Sequence, residues 1–204
     1  MRYLNKIVFI NSAAIRYSEV QLDGNIHLIG TQGVGKSTIL RAILFFYNAD
    51  TQRLGIPVEK KSYQDYYFPY ADSSIIYEVA REDGWFTVLS YKTMNRICYR
   101  FIASPYRPDL FIDEEGAPYP SDRIRSVLDK NGIKYSGAIS TYEEYRNILY
   151  GNSDNKRDYS CYSLMESGSY QNIIRTIQNV LLNSRLEADY IKPVSYTHLR
   201  AHET

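Results

Sequence analysis

The segment Gly30-Thr31-Gln32-Gly33-Val34-Gly35-Lys36-Ser37-Thr38 has the residue types and spacing to hold a polyphosphate. Glycines at 30, 33 and 35 let the backbone curl until consecutive N–H groups converge on a β-phosphate. A helix expected to start near Lys36 adds the positive end of its dipole. Lys36 supplies a mobile cation for β- and γ-phosphate oxygens. Ser37 offers a hydroxyl ligand for Mg²⁺, and Thr38 a hydroxyl for the α-phosphate. Thr31, Gln32 and Val34 fill the remaining loop positions. Triphosphate with Mg²⁺ is the implied ligand, and no base-reading motif is visible.

A phosphate loop needs a strand before it and a helix after it, and the neighbouring sequence supplies both. Leu4 to Ile10 reads as a strand, Tyr17 to Leu22 as a half-exposed strand, and Asp23-Gly24 as a hairpin turn. Asn25 to Ile29 is a third strand running into Gly30. Ser37 to Phe46 is apolar enough to predict a mostly buried helix. Residues 51 to 73, with Gly55, Pro57 and the aromatic run Tyr66-Tyr67-Phe68-Pro69-Tyr70, read as a long ordered loop. An antiparallel meander is expected over 74–103, its strands Ser74 to Ala80, Trp85 to Tyr91 and Arg96 to Ala103. Pro105 to Pro120 is turn-rich, with a short strand at Leu110 to Ile112. Helical texture over 120–150 comprises Ser121 to Lys130 and Thr141 to Tyr150, each beginning near a Ser or Thr cap. After a polar loop, Gly151 to Tyr159, a further helix is predicted from Tyr170 to Leu182.

Other candidates for chemistry have plainer readings. Phe111-Ile112-Asp113-Glu114-Glu115-Gly116 superficially looks like an acidic strand end, but its turn-rich setting argues for a surface turn. Cys98 and Cys161 lack metal spacing and read as buried thiols of a reducing cytosol. The 21 tyrosines, against 7 phenylalanines, are either base-stacking surfaces or half-buried β positions with a wet hydroxyl. Their scatter through strands and loops favours the second. Lys plus Arg is 24 against 23 for Asp plus Glu, so net charge argues neither for nor against a polyanion. Neither a signal peptide nor a membrane-length apolar run is visible, and the expectation is a soluble, cytoplasmic protein without a membrane partner.

A phosphate loop thirty residues in, behind a strand, a polar loop and a hairpin, is similar to the heads of SMC, RecF and Rad50-type ATPases. Gln32 stands where those loops usually have Asn. The runs Ile139 to Arg146 and Tyr159 to Leu164, then the helix from Tyr170, resemble the corresponding part of MukB-type and Wadjet-type SMC-like proteins. The resemblance covers residues 1–192. It implies an α/β fold: the N-terminal part of an ABC/SMC-type head, a P-loop core of parallel and antiparallel strands, plus the meander and a small helical add-on. It further implies an ATPase whose acidic strand and signature serine lie in a C-terminal half, across a coiled coil. The implied partners are that half of its own head, a second head in a nucleotide-sandwiched homodimer, DNA and accessory subunits. Gln171 is the candidate for a glutamine that holds Mg²⁺ and the attacking water, or else a surface residue at a helix start. Asn11 and Arg16, after the first strand, either approach the nucleotide or are plain loop residues.

The last eleven residues, Val194 to Thr204, resemble one reading frame of a transposon-end adapter used in sequencing libraries. Residues 193–204 are therefore expected to be a non-native tail. His198 and His202 are given no chemistry, and the natural reading frame is expected to continue past Lys192. On that reading the fragment alone is inactive. Two rivals stand beside the SMC-like head: a RecF- or OLD-like ATPase without a long coiled coil, and a small-molecule phosphotransferase. The latter would need an acceptor-binding lid that the sequence does not display.

Overall fold

Near-continuous apolar runs at Ile75-Ile76-Tyr77, Phe86 to Leu89 and Ile97 to Ile102 call for strands covered on both faces, and the sheet is built that way. The computed structural model describes residues 2–24, 35–48, 54, 61–94, 96–151 and 159–164. These fall in the compact unit Met1–Ser167. Five strands, β1 (Tyr3–Ser12), β2 (Ile15–Gln21), β3 (Ser74–Arg81), β4 (Gly84–Thr93) and β5 (Arg96–Ile102), form a sheet of order β2-β1-β3-β4-β5. Every described pairing is antiparallel. The meander β3-β4-β5 matches the strands expected over 74–103, with Gly84 closing the first turn at a φ of 145°. The strand expected at Asn25 to Ile29, the helix from Tyr170 and the tail lie outside the described residues, as does most of the 151–159 loop.

Alternation along the strands sorts the core into two layers. Val8, Ile10, Ile76, Leu89, Tyr91, Cys98 and Ile102 share one face with Leu110, Phe111 and the helix α3 (Ser121–Lys130), which contributes Ile124 and Leu128. The opposite face carries Tyr77, Tyr99 and Phe101, which meet the rings of Phe46 and Tyr145. Phe46 belongs to α1 (Lys36–Asn48) and Tyr145 to α4 (Tyr142–Leu149). The two helices of the 120–150 segment therefore cover opposite faces of the sheet. Each fully buried apolar side chain contributes ~1.5–3 kcal/mol, whereas exposed ion pairs are worth ~0–1 kcal/mol. The two-sided core, not the surface charge, holds the fold.

Several local expectations change. The 51–73 segment contains a short helix, α2 (Tyr63–Tyr67), whose N-cap Ser62 accepts from Asp65 N–H. In place of a strand at Leu110 to Ile112 there is a 3₁₀ turn at Pro108–Leu110 and a single bridge, Ile112 to Pro118, because Pro108 and Pro118 limit ladder formation. Thr141 caps α4 as expected, but α3 starts after Pro120 with no side-chain cap. Cys98 is buried; Cys161 is exposed, because the 3₁₀ turn Ser160–Tyr162 turns Tyr162 inward instead. Beyond β5, backbone from Lys134 to Ile139 runs along the sheet edge through bridges Tyr99 to Ile139 and Ile102 to Tyr135. No described helix is long and apolar enough to cross a membrane.

Candidate phosphate site

The helix α1 starts at Lys36, where the phosphate-loop reading expects it. Gly35 has a φ of 91°, in the left-handed region that favours glycine. Its carbonyl accepts the first helical bonds, from Thr38 N–H at 3.0 Å and Ile39 N–H at 3.2 Å. Ser37 is exposed, while Lys36 and Thr38 are half-buried. No acidic residue occupies the first turn of α1, so nothing within the helix offsets the positive end of its dipole. An anionic ligand suits this terminus. Gly30, Thr31, Gln32, Gly33 and Val34 lie outside the described residues, as does Gln171.

The body of α1 is less buried than its composition suggests. Ala42, Phe45 and Phe46 are fully covered, but Leu40 is 42% exposed. What fixes the helix is a row of tyrosine hydroxyls on its backbone. Tyr67 donates to Thr38 O at 2.7 Å and Tyr77 to Ala42 O at 3.0 Å. Tyr145 donates to Phe46 O and Tyr150 to Tyr47 O, each at 2.6 Å. Thr38, Ala42 and Phe46 are one helical turn apart, so their carbonyls lie along one side. Stacked rings reinforce the row: Phe45 on Tyr63 at 4.5 Å and Tyr63 on Tyr67 at 4.1 Å. Burial pushes the Tyr77 and Tyr145 phenols well above their ordinary value, so they remain donors. The expectation of wet tyrosine hydroxyls fails for these residues. A buried hydroxyl without a partner costs about 1–3 kcal/mol, and backbone carbonyls supply the partners here.

Two neighbouring tyrosines meet the first turn of α1. Beside the Tyr67 bond to the Thr38 carbonyl, Tyr66 Oη lies 3.3 Å from Thr38 Oγ1. Tyr66 is 38% exposed and meets Tyr67 edge to face at 5.0 Å. Lys92 Nζ approaches Asp65 at 3.5 Å, tying α2 to β4. Hydrogen bonding from Ser62 is the largest influence lowering the Asp65 carboxyl, though burial opposes it and Lys92 adds a smaller pull. The sequence reading passed over Tyr66 and Tyr67 as loop residues. The available signal was Ser62-x-x-Asp65, the spacing of an N-terminal helix cap.

The remaining candidates separate. Asn11, at a φ of 43°, donates from Nδ2 to Asp72 Oδ2 at 2.9 Å, and its carbonyl accepts from Ser73 Oγ. It ties the end of β1 to the segment that leads into β3. Arg16 is exposed at the start of β2, and no described contact joins it to the α1 terminus. Asp113 behaves as the surface-turn reading expects: its Oδ1 accepts N–H from Glu115 at 3.0 Å and Ala117 at 2.7 Å. A family model described as "Protein of unknown function (DUF3584)" matches residues 11–182. No curated protein matches the chain.

Proposed function

From the premise that the chain belongs to the DUF3584 family, we propose that it is the ATP-binding N-terminal part of an SMC-like ATPase head that works on DNA. That family is associated with RecF-, RecN- and SMC-like proteins, which supports the reading at the level of class. The MukB- or Wadjet-type assignment rests on the sequence resemblance alone. The single observation that carries phosphate binding is the terminus of α1: left-handed Gly35, then Lys36, Ser37 and Thr38, with no acid in the first turn. In this reading Lys36 binds β- and γ-phosphate oxygens, Ser37 Oγ holds Mg²⁺ and Thr38 Oγ1 binds the α-phosphate. Ser37 would be the residue to hold Mg²⁺, which would supply charge compensation for the phosphate oxygens.

Within the fold, α1 is anchored at both ends by tyrosines and packed against a two-sided sheet, so its N-terminus is presented on a rigid element. The test uses the purified chain. ATP·Mg²⁺ is expected to raise its Tm, because a ligand stabilises the state it binds. Lys36→Ala is expected to remove that rise. Equal protection of the variant by ATP·Mg²⁺ would show that the P-loop assignment is wrong.

A further inference from the structure

The structure places a second hydroxyl against the one assigned to the α-phosphate, and we propose that Tyr66 is a positioning residue for that contact. The proposal rests on the phosphate-loop reading and names a residue that the motif does not contain. Thr38 Oγ1 carries one hydrogen and two lone pairs. Tyr66 Oη lies 3.3 Å away, and of the two hydroxyls the phenol is the stronger acid and the better donor. With Tyr66 donating, the threonine oxygen is an acceptor on that side, and its own hydrogen points elsewhere. A phosphate oxygen at the α1 terminus then receives it. Without Tyr66, the threonine hydroxyl is free to turn back onto helix backbone, as Ser and Thr side chains in helices commonly do.

The geometry is held from several directions. Tyr67 grips the carbonyl of the same Thr38 at 2.7 Å, which fixes the register of α2 against the first turn of α1. The edge-to-face contact of Tyr66 with Tyr67 sets the ring plane, and the Ser62 cap and Lys92–Asp65 pair hold α2 in place. Tyr66 is nevertheless 38% exposed, so it stands at the rim of the site and not in the core. That combination suits a group that orients a ligand contact more than one that supports the fold. The ligand class is a nucleoside di- or triphosphate, recognised at its α-phosphate.

ADP·Mg²⁺ and ATP·Mg²⁺ titrated into wild type, Tyr66→Phe, Thr38→Val and the double variant, followed by Tm, test the proposal. Tyr66→Phe keeps the ring and is expected to leave the unliganded Tm in place while weakening both nucleotides by about two- to tenfold, the range of one neutral hydrogen bond. In the Thr38→Val background the same change is expected to cost nothing further, because the two hydroxyls act as one unit. In Thr38→Ser, which restores the hydroxyl, the Tyr66→Phe penalty is expected to return. Wild-type affinity in Tyr66→Phe, or a full additional loss in the double variant, overturns the proposal while Lys36→Ala still abolishes binding. Nucleotide binding that ignores Lys36→Ala overturns both the phosphate-loop reading and this one.

Discussion

The Tyr145 hydroxyl donates to the Phe46 carbonyl at 2.6 Å, joining α4 to the last turn of α1 across 99 residues of sequence. The last four carbonyls of an α-helix have no intrahelical donor, and Tyr150 serves Tyr47 in the same way. The two tyrosines therefore cap a helix from a distant element. Tyr77 differs, because the Ala42 carbonyl it reaches lies within the helix and also has a backbone donor.

Removing these hydroxyls is expected to rank accordingly. Tyr145→Phe strands a buried carbonyl and is expected to cost about 1–3 kcal/mol in urea unfolding. Tyr77→Phe is expected to cost about 0.5–1 kcal/mol, because Ala42 O retains a donor. Equal costs for the two, or a larger one at Tyr77, would contradict the capping account.

The 204-residue chain is expected to bind nucleotide without turning it over. Hydrolysis needs a group to position and deprotonate water, with charge stabilised opposite it. Asp113, in the one acidic run that looks like a strand end, sits in a surface turn where its Oδ1 accepts the N–H groups of Glu115 and Ala117. A steady-state phosphate-release assay is expected to show no rate above that of Lys36→Ala. Turnover of about one per second, abolished by Lys36→Ala, would mean that the chain holds its own catalytic acid. Asp113→Asn and Glu114→Gln would then locate it.

A pH dependence follows from Glu82, in the turn between β3 and β4. Its own backbone N–H, then the Arg2 guanidinium at 2.8 Å, hold its carboxyl at about 2 instead of the ordinary 4.5. A depressed carboxyl stabilises the fold above its unfolded value and loses that contribution as pH falls through the folded one. The Tm difference between wild type and Glu82→Gln is therefore expected to be full at neutral pH, to narrow below 4.5 and to vanish near 2. The effect is small, since the pair is exposed and screened by solvent. A difference that stays constant down to the lower value would rule out this assignment.

Strands β1, β3, β4 and β5 were legible because their apolar runs are long and the Glu82-Asp83-Gly84 turn is unambiguous. α3 and α4 were legible from helical texture and, for α4, from the Thr141 cap. α2 was not, because five residues with three tyrosines carry no periodicity and only the Ser62–Asp65 cap reveals them. The tyrosine row was not legible either. Its acceptors are backbone carbonyls, which every residue has, and the partners lie 29 to 103 residues away. Of the candidate site, the types at Gly35, Lys36, Ser37 and Thr38 were readable from spacing. The part played by Tyr66 depends on how a later segment folds back, which no local pattern encodes.

The segment lying along β5 gives the sheet a direction of growth. Tyr99 and Ile139 exchange both backbone bonds, Ala103 N–H reaches Lys134 O, and Ser136 N–H reaches Phe101 O. With these groups occupied, that margin has little left to offer an incoming strand. β2, the outermost described strand on the other side, carries Arg16 and Glu19 and is largely exposed. Among the described residues, β2 is the margin with no strand paired on its outer side. Among the described residues, the sheet is open at one margin and edged by backbone of its own chain at the other.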